Sequence, residues 1–184
     1  MLSRTADTLF WLGRYIERAD NAARIIDAAS RLATVPVAYA GGTTEWESAL
    51  SAAGALASFS ASHAEADRDA VIDYLAFSPV NPSSIRSCLE TARANARSVR
   101  TALTAEMWEA LNGAWMDMKR FDGTRMDRET LNAFLSTVKE ACLRFDGSAY
   151  RTMLRNDVYF FLRLGFFLER ADNTTRILDI KYFM

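Results

Sequence analysis

One sixteen-residue segment occurs twice in this chain, and that repeat limits the possible folds more than any other feature. Leu12-Gly13-Arg14-Tyr15-Ile16-Glu17-Arg18-Ala19-Asp20-Asn21-Ala22-Ala23-Arg24-Ile25-Ile26-Asp27 returns as Leu164-Gly165-Phe166-Phe167-Leu168-Glu169-Arg170-Ala171-Asp172-Asn173-Thr174-Thr175-Arg176-Ile177-Leu178-Asp179. The offset is a constant 152 residues, and ten of the sixteen positions are identical, including the run Glu-Arg-Ala-Asp-Asn. Several of the changes are mild, such as Tyr15 to Phe167 and Ile16 to Leu168. Self-similarity of this kind marks a repeated structural unit, so what the first copy forms the second should form as well.

Each copy reads as one helix carrying two stripes. Leu9, Leu12, Ile16, Ala19, Ala23 and Ile26 are spaced 3-4-3-4-3, as are Phe161, Leu164, Leu168, Ala171, Thr175 and Leu178. That spacing makes a heptad seam for packing on neighbouring helices, and Ala19 and Ala171 would let another helix come close. The second stripe lies about 100° further round: Gly13, Glu17, Asp20, Arg24, Asp27 and, in the copy, Gly165, Glu169, Asp172, Arg176, Asp179. All five of its positions are identical between copies, whereas the apolar seam is only similar. Asp20 can reach Arg24, and Asp172 can reach Arg176, at i,i+4. On an open surface such a pair contributes only a few tenths of a kcal/mol. The faithful repetition therefore predicts that the stripes are partly buried and face one another about a pseudo-twofold axis, with Glu17 meeting Arg176 and Glu169 meeting Arg24.

The rest of the chain supports an all-α bundle. No alternating strand pattern lasts beyond three or four residues, and only 8 Gly and 3 Pro punctuate 184 residues, which suits long helices joined by few loops. A first helix is predicted from a cap at Ser3 or Thr5 to about Leu32, broken by Val35-Pro36 and Gly41-Gly42. A second spans 45–59 with Thr43 or Thr44 as cap, and a third runs over about 65–77. The loop 78–84 follows, with Asn81 as N-cap and Pro82 in the first helical position. Further helices are predicted over about 82–103, 104–119, with a capping start at Thr104, and 128–145, ended by Asp146-Gly147. The last runs from about Arg151 to the C-terminus. The expectation is a single domain over 1–184, a bundle of six to seven helices in which the first and last are paired by the repeat.

Charge and motifs exclude several classes of function. The formal net charge is −1 from 22 basic and 23 acidic residues, so no basic excess draws nucleic acid and no Lys/Arg block suggests an anionic membrane. No apolar run approaches the ~20 residues of a membrane span, and the first residues do not read as a secretory leader. Cys88 and Cys142 form no CxxC and read as free buried thiols of a reducing compartment; a cytoplasmic location is expected. The carboxylates Glu17, Asp20, Glu169 and Asp172 invite a metal reading, but helical di-iron sites need Glu-x-x-His on two helices and the chain has one histidine, His63. Arg18, Arg24, Arg170 and Arg176 stand beside the acids and would neutralise them. Glu17, Arg18, Asp20, Arg24, Glu169, Arg170, Asp172 and Arg176 are thus the candidate network, structural or ligand-binding, with no metal, cofactor or catalytic residue expected. A second polar set, Asn95, Arg97 and Arg100 with Glu106 and Asn112, offers guanidinium forks to an anion. Ser83 and Ser84 have no partner base and read as residues of a helix start. Trp11, Trp46, Trp108 and Trp115, and Phe160, Phe161, Phe166 and Phe167, read as core.

The segment 9–20, Leu-Phe-Trp-Leu-Gly-Arg-Tyr-Ile-Glu-Arg-Ala-Asp, resembles the opening of the bacterial alpha-E family. Asn81-Pro82-Ser83-Ser84-Ile85, Asn95-Ala96-Arg97-Ser98-Val99-Arg100, Glu106-Met107-Trp108-Glu109-Ala110-Leu111-Asn112 and Leu168-Glu169-Arg170-Ala171-Asp172 extend the likeness over nearly the whole chain. The resemblance implies an all-α protein that accompanies an ATP-grasp ligase-like protein, a transglutaminase-like peptidase and sometimes a proteasome-like peptidase, in a system that makes, attaches or removes a peptide. It also implies a short or truncated member, since the family's chains usually run longer and this one stops at Met184. Dimerisation through the apolar end is a further expectation. Three functions follow as alternatives: a non-catalytic accessory or scaffold protein, an enzyme of amide-bond formation or cleavage using the Glu/Arg repeat, and a binder of a peptide or anionic ligand.

Overall fold

A computed structural model describes residues 1–34 and 44–183, with side chains to Asp179 in the last helix. The described residues form eight α-helices and no strand: α1 (Ser3–Leu32), α2 (Glu45–Ala52), α3 (Leu56–Ser60), α4 (Arg68–Ala76), α5 (Ile85–Ser98), α6 (Ala105–Met118), α7 (Arg128–Thr152) and α8 (Asp157–Phe183). Short 3₁₀ turns follow α5 and α6. The all-α reading holds. The breaks expected at 35–36 and 41–42, and Thr43 as a cap, lie outside the described residues.

Local chemistry explains most helix ends. Thr44 accepts from Glu47 N at 3.1 Å while Glu47 Oε2 accepts from Thr44 N at 2.9 Å, a capping box that starts α2. Asp67 caps α4 through the amides of Asp69 and Ala70. Thr104 caps α6 and Asp127 caps α7. Several details differ from expectation: α5 runs over Ile85–Ser98 with Pro82 outside it, and α8 begins at Asp157 rather than near Arg151. Neither Ser3 nor Thr5 caps α1; Leu2 holds the N-cap position without a side-chain bond. The helix expected over 45–59 is two helices, because Gly54 adopts φ 65° and closes α2, and Ala55 N returns to Leu50 O at 2.8 Å. Ser84, not Asn81, caps α5 through Ser87 N at 3.2 Å. Asn81 is buried instead, donating to Tyr74 O at 3.0 Å and accepting from Ser83 N at 2.9 Å. Finally, Asp146-Gly147 does not end a helix, and α7 continues to Thr152. Its core face continues too, through Phe145 and Ala149, and that burial outweighs the roughly 1 kcal/mol helix cost of one glycine.

Helix α1 is the spine of the molecule. It packs on α8, α5 and α7, with α2 and α4 at its flank. Its apolar seam is fully enclosed: Leu9, Leu12, Ala19, Ala23 and Ile26 have no exposure and Ile16 has 1%. Over that seam lie Ile85, Cys88, Leu89 and Ala92 of α5, and Leu131, Phe134, Leu135, Val138 and Phe145 of α7, all in one core. Burying each large aliphatic side chain contributes about 1.5–3 kcal/mol.

The repeat of α1 in α8 does not share that environment, which corrects the expectation that both seams pack. Leu164 is 52% exposed, Leu168 47% and Leu178 51%; Phe160, Phe161 and Phe167 are also exposed, as is Ala171. Among the four phenylalanines expected in the core, only Phe166 is buried. Trp46 and Trp115 are buried, whereas Trp11 and Trp108 are half-buried.

Candidate functional site

The two repeated helices lie side by side and run in the same direction. At their closest approach stand Gly13 and Gly165. A Cβ added to Gly13 would collide with the Leu162 carbonyl oxygen and lie 3.1 Å from Phe166 N. A Cβ added to Gly165 would collide with the Phe10 carbonyl oxygen and lie 3.1 Å from Arg14 N. Phe10 and Leu162, like Arg14 and Phe166, are themselves related by the repeat offset, so the crossing is symmetric. Only glycine lets two backbones meet this closely.

One turn beyond the crossing, each helix's Glu-Arg pair engages the other's. Glu17 accepts from Arg170 Nε at 2.7 Å and Nη2 at 2.8 Å. Glu169 accepts from Arg18 Nε at 2.7 Å and Nη2 at 3.1 Å, and also from Arg14 Nε at 2.6 Å. Both glutamates are buried. Burial acts to lower the Arg18 guanidinium, but hydrogen bonding and charge attraction from Glu169 outweigh it and hold Arg18 above its ordinary value. The hydrogen bond to Glu17 likewise raises Arg170. The two bidentate forks fix the register of one helix against the other.

This corrects the predicted partners. Glu17 does not meet Arg176, and Glu169 does not meet Arg24. Arg24 stays on its own helix, with Nε 2.6 Å from Asp20, and Arg176 bonds Asp172 at 3.1 Å. The guanidinium of Arg176 also lies over Gly54. Only Gly13 with Glu17 and Gly165 with Glu169 lie between the helices, while Arg24, Arg176 and Asp179 of the stripes are exposed, and the cross-helix bonds belong to the arginine next to each glutamate: on parallel helices, Glu17 and Arg18 lie level with Glu169 and Arg170. At the end of the stripe, Asp27 receives Arg31 of its own helix and Lys139 of α7, both within 2.9 Å.

A family model described as "a predicted alpha-helical domain with a conserved ER motif" matches residues 1–184. The chain belongs to the Alpha-E family. Glu17-Arg18 and Glu169-Arg170 are its two Glu-Arg dipeptides of the repeat, and the reciprocal pairing gives a physical reason for that motif: each acid is neutralised by the base of the other copy. No curated protein and no solved structure matches this Alpha-E chain.

The two acids differ in surroundings. The position of Arg14 in the first copy is taken by Phe166 in the second, so Glu169 binds two guanidiniums and Glu17 one. Comparing identical positions alone missed Arg14 for this reason; its aromatic neighbours were the available signal, since its guanidinium lies 5.3 Å from the Trp11 ring centre. Arg18 has a further contact, with Ser83 Oγ at 3.5 Å, which ties the Asn-Pro-Ser-Ser loop to the pair.

The second polar set does not converge. Arg97 is exposed. Arg100 lies 5.5 Å from the Trp108 ring centre and donates to Leu103 O at 3.4 Å. It is Arg93, not Asn95, that reaches Asn112, at 2.9 Å, and it also lies over Trp108. Cys88 and Cys142 are free and buried; burial pushes the Cys88 thiol up to about 12 and raises Cys142 strongly. His63 stacks on Phe59 with ring centres 4.1 Å apart.

On one side of the paired helices a cavity of about 370 Å³ opens among Glu17, Asp20, Asn21, Arg24, Arg170 and Asn173. Asn21 and Asn173 are the same position in the two copies. Asn173 is buried, and its Nδ2 has no hydrogen-bond partner.

Proposed function

We propose that this Alpha-E chain is a non-catalytic accessory or scaffold protein of a bacterial peptide-modification system, and that its α8 face receives a helical segment of an ATP-grasp ligase-like partner. The observation that carries the reading is the unequal fate of two nearly identical seams. The seam of α1 is sealed by α5 and α7, and its counterpart on α8 is left in water. Burying that counterpart would remove several large aliphatic and aromatic side chains from solvent, each contributing on the order of 1.5–3 kcal/mol. Exposed apolar surface of this extent marks an interaction site.

The repeat also indicates the shape of the occupant. Its twin surface takes a pair of amphipathic helices, so a helix-in-groove mode fits. The stripe Phe161, Leu164, Leu168, Ala171, Thr175 and Leu178 carries no charge, which suits an apolar helix face and disfavours a polyanion. The ligase-like and transglutaminase-like partners come from the family resemblance. A non-catalytic role is supported by the engagement of the acids and bases with one another in bidentate pairs and by the raised thiols.

The test mixes the purified chain with the ATP-grasp ligase-like protein of the same host and measures mass by light scattering after gel filtration. The expected result is a complex that Leu168→Asp abolishes. Leu168 is half exposed, so the variant should keep the parent melting temperature. The reading fails if no complex forms or if Leu168→Asp leaves it intact. It also fails if the face binds a second copy of the chain, or the transglutaminase-like protein alone.

A further inference from the structure

The seat that α5 and α7 form on α1 includes a charged clamp. Asp27, the last residue of the repeated segment, stands one position beyond Ile26 of the apolar seam. Its carboxylate holds two bases. Arg31, one turn further along α1, donates from Nε at 2.9 Å, and Lys139 reaches across from α7 and donates from Nζ at 2.8 Å. Lys139 follows Val138, which is buried in the core with the seam of α1. Burial acts to raise the Asp27 carboxyl, but Lys139 and Arg31 outweigh it and hold it below its ordinary value.

The second copy keeps the acid and lacks both bases. Asp179 stands at the place of Asp27, offset by the same 152 residues, and the place of Arg31 is taken by Phe183. Asp179 is exposed and has no basic partner among the described residues. The seam beside it is open: Leu164, Leu168 and Leu178 are each about half exposed.

Symmetry supplies the missing geometry. The parallel helices α1 and α8 meet at equivalent residues, Gly13 with Gly165 and each Glu-Arg pair with the other. The pseudo-twofold axis between them therefore carries the seat of α5 and α7 onto the outer face of α8, and carries the ammonium of Lys139 to Asp179. A second copy of the chain does not supply that ammonium, because its own Lys139 is engaged by its own Asp27. An uncharged stripe with 3-4 spacing lets a docked helix slip along it, and one charge pair at its end fixes the register. We infer that the partner segment received by α8 is a pair of helices seated as α5 and α7 are on α1, with a lysine whose ammonium closes on Asp179. This rests on the reading that α8 docks the ligase-like partner, and it names the contact that sets that partner's position.

The test uses the full chain and the ATP-grasp ligase-like protein of the same host. In calorimetric titration Asp179→Asn should weaken the complex about tenfold, the effect of losing one charged hydrogen bond, and Asp179→Lys should weaken it further. Glu65→Lys makes the same change of charge at an exposed acid ahead of α4 and should leave the affinity at the parent value. Asp179 is exposed, so neither of its variants should lower the melting temperature. Zero-length carbodiimide coupling of the parent complex, followed by digestion and mass spectrometry, should join Asp179 to a lysine of the partner. Parent affinity in Asp179→Asn overturns the inference, as does the lack of a cross-link from Asp179, or an equal loss of affinity in Glu65→Lys. If Leu168→Asp abolishes the complex while both Asp179 variants bind as the parent does, the lysine contact falls and docking on α8 stands. If no complex forms at all, both fall.

Discussion

Replacing four helical glycines by alanine, one at a time, separates close helix contact from simple helix content. Gly113 in α6 and Gly147 in α7 have no atom within 4 Å of where a Cβ would stand. Alanine there gains only helix propensity, so each variant should be more stable by about 0.8–1 kcal/mol. Gly13 and Gly165 gain the same propensity but face backbone. At both, a methyl must push a carbonyl oxygen of the neighbouring helix back by about an ångström to reach ordinary contact. Backbone cannot rotate away as a side-chain tip can. The helices must separate, and separation lengthens both Glu-Arg forks one turn further on. Overpacking costs about 1–3 kcal/mol, and stretching two buried ion pairs adds to it, so the net effect should be destabilising by roughly 2 kcal/mol or more. For a chain of this size 1 kcal/mol moves Tm by about 2–4 °C. Differential scanning calorimetry should therefore show Gly113→Ala and Gly147→Ala above the parent and Gly13→Ala and Gly165→Ala at least about 4 °C below it. If the Gly13 and Gly165 variants melt at or above the parent, the two helices do not touch as described.

Two further outcomes follow from the same geometry. Glu169→Gln strips the counter-charge from both Arg14 and Arg18 in a buried setting and should cost about 3 kcal/mol in urea unfolding; Glu17→Gln should cost about 1 kcal/mol, because Arg170 stays half in water and is partly screened there, and equal costs would contradict the unequal surroundings. Cys88, with its thiol pushed up to about 12, is protonated below that pH, so the native chain at pH 8 should react with a thiol reagent only on unfolding; rapid labelling of Cys88 in the native state would refute its burial.

The architecture was readable because the repeat and the 3-4 spacing both report helix directly. The core was half readable. Leu12 and Leu164 occupy equal places in equal patterns, yet one is enclosed and the other is half exposed. Periodicity shows which face is apolar; it does not show whether anything covers that face. The polar stripe was assigned to the helix interface from identity alone, and Gly13, Glu17, Gly165 and Glu169 do lie there. The partner arginines were not, since choosing Arg18 over Arg24 requires the relative direction of two helices, which one-dimensional spacing does not contain. Gly147 misled for a related reason: a glycine stops a helix only where no buried face carries the chain onward. Asn173 gave no signal of its own, because its unmet amide arises from atoms brought together by the fold.

Because α1 and α8 are parallel, no hairpin could join them. A helix of 30 residues rises about 45 Å, and the chain must travel that length back before the second copy can begin. The clasp between Arg18 and Glu169 spans 151 residues of sequence. During synthesis, α1 therefore emerges with Glu17, its glycine notch, Arg14 and Arg18 lacking their α8 partners, and they lack them until the second copy is made. Loop closure over such a distance must precede any gain from the contact, so the two copies can lock together only after the chain between them has been made.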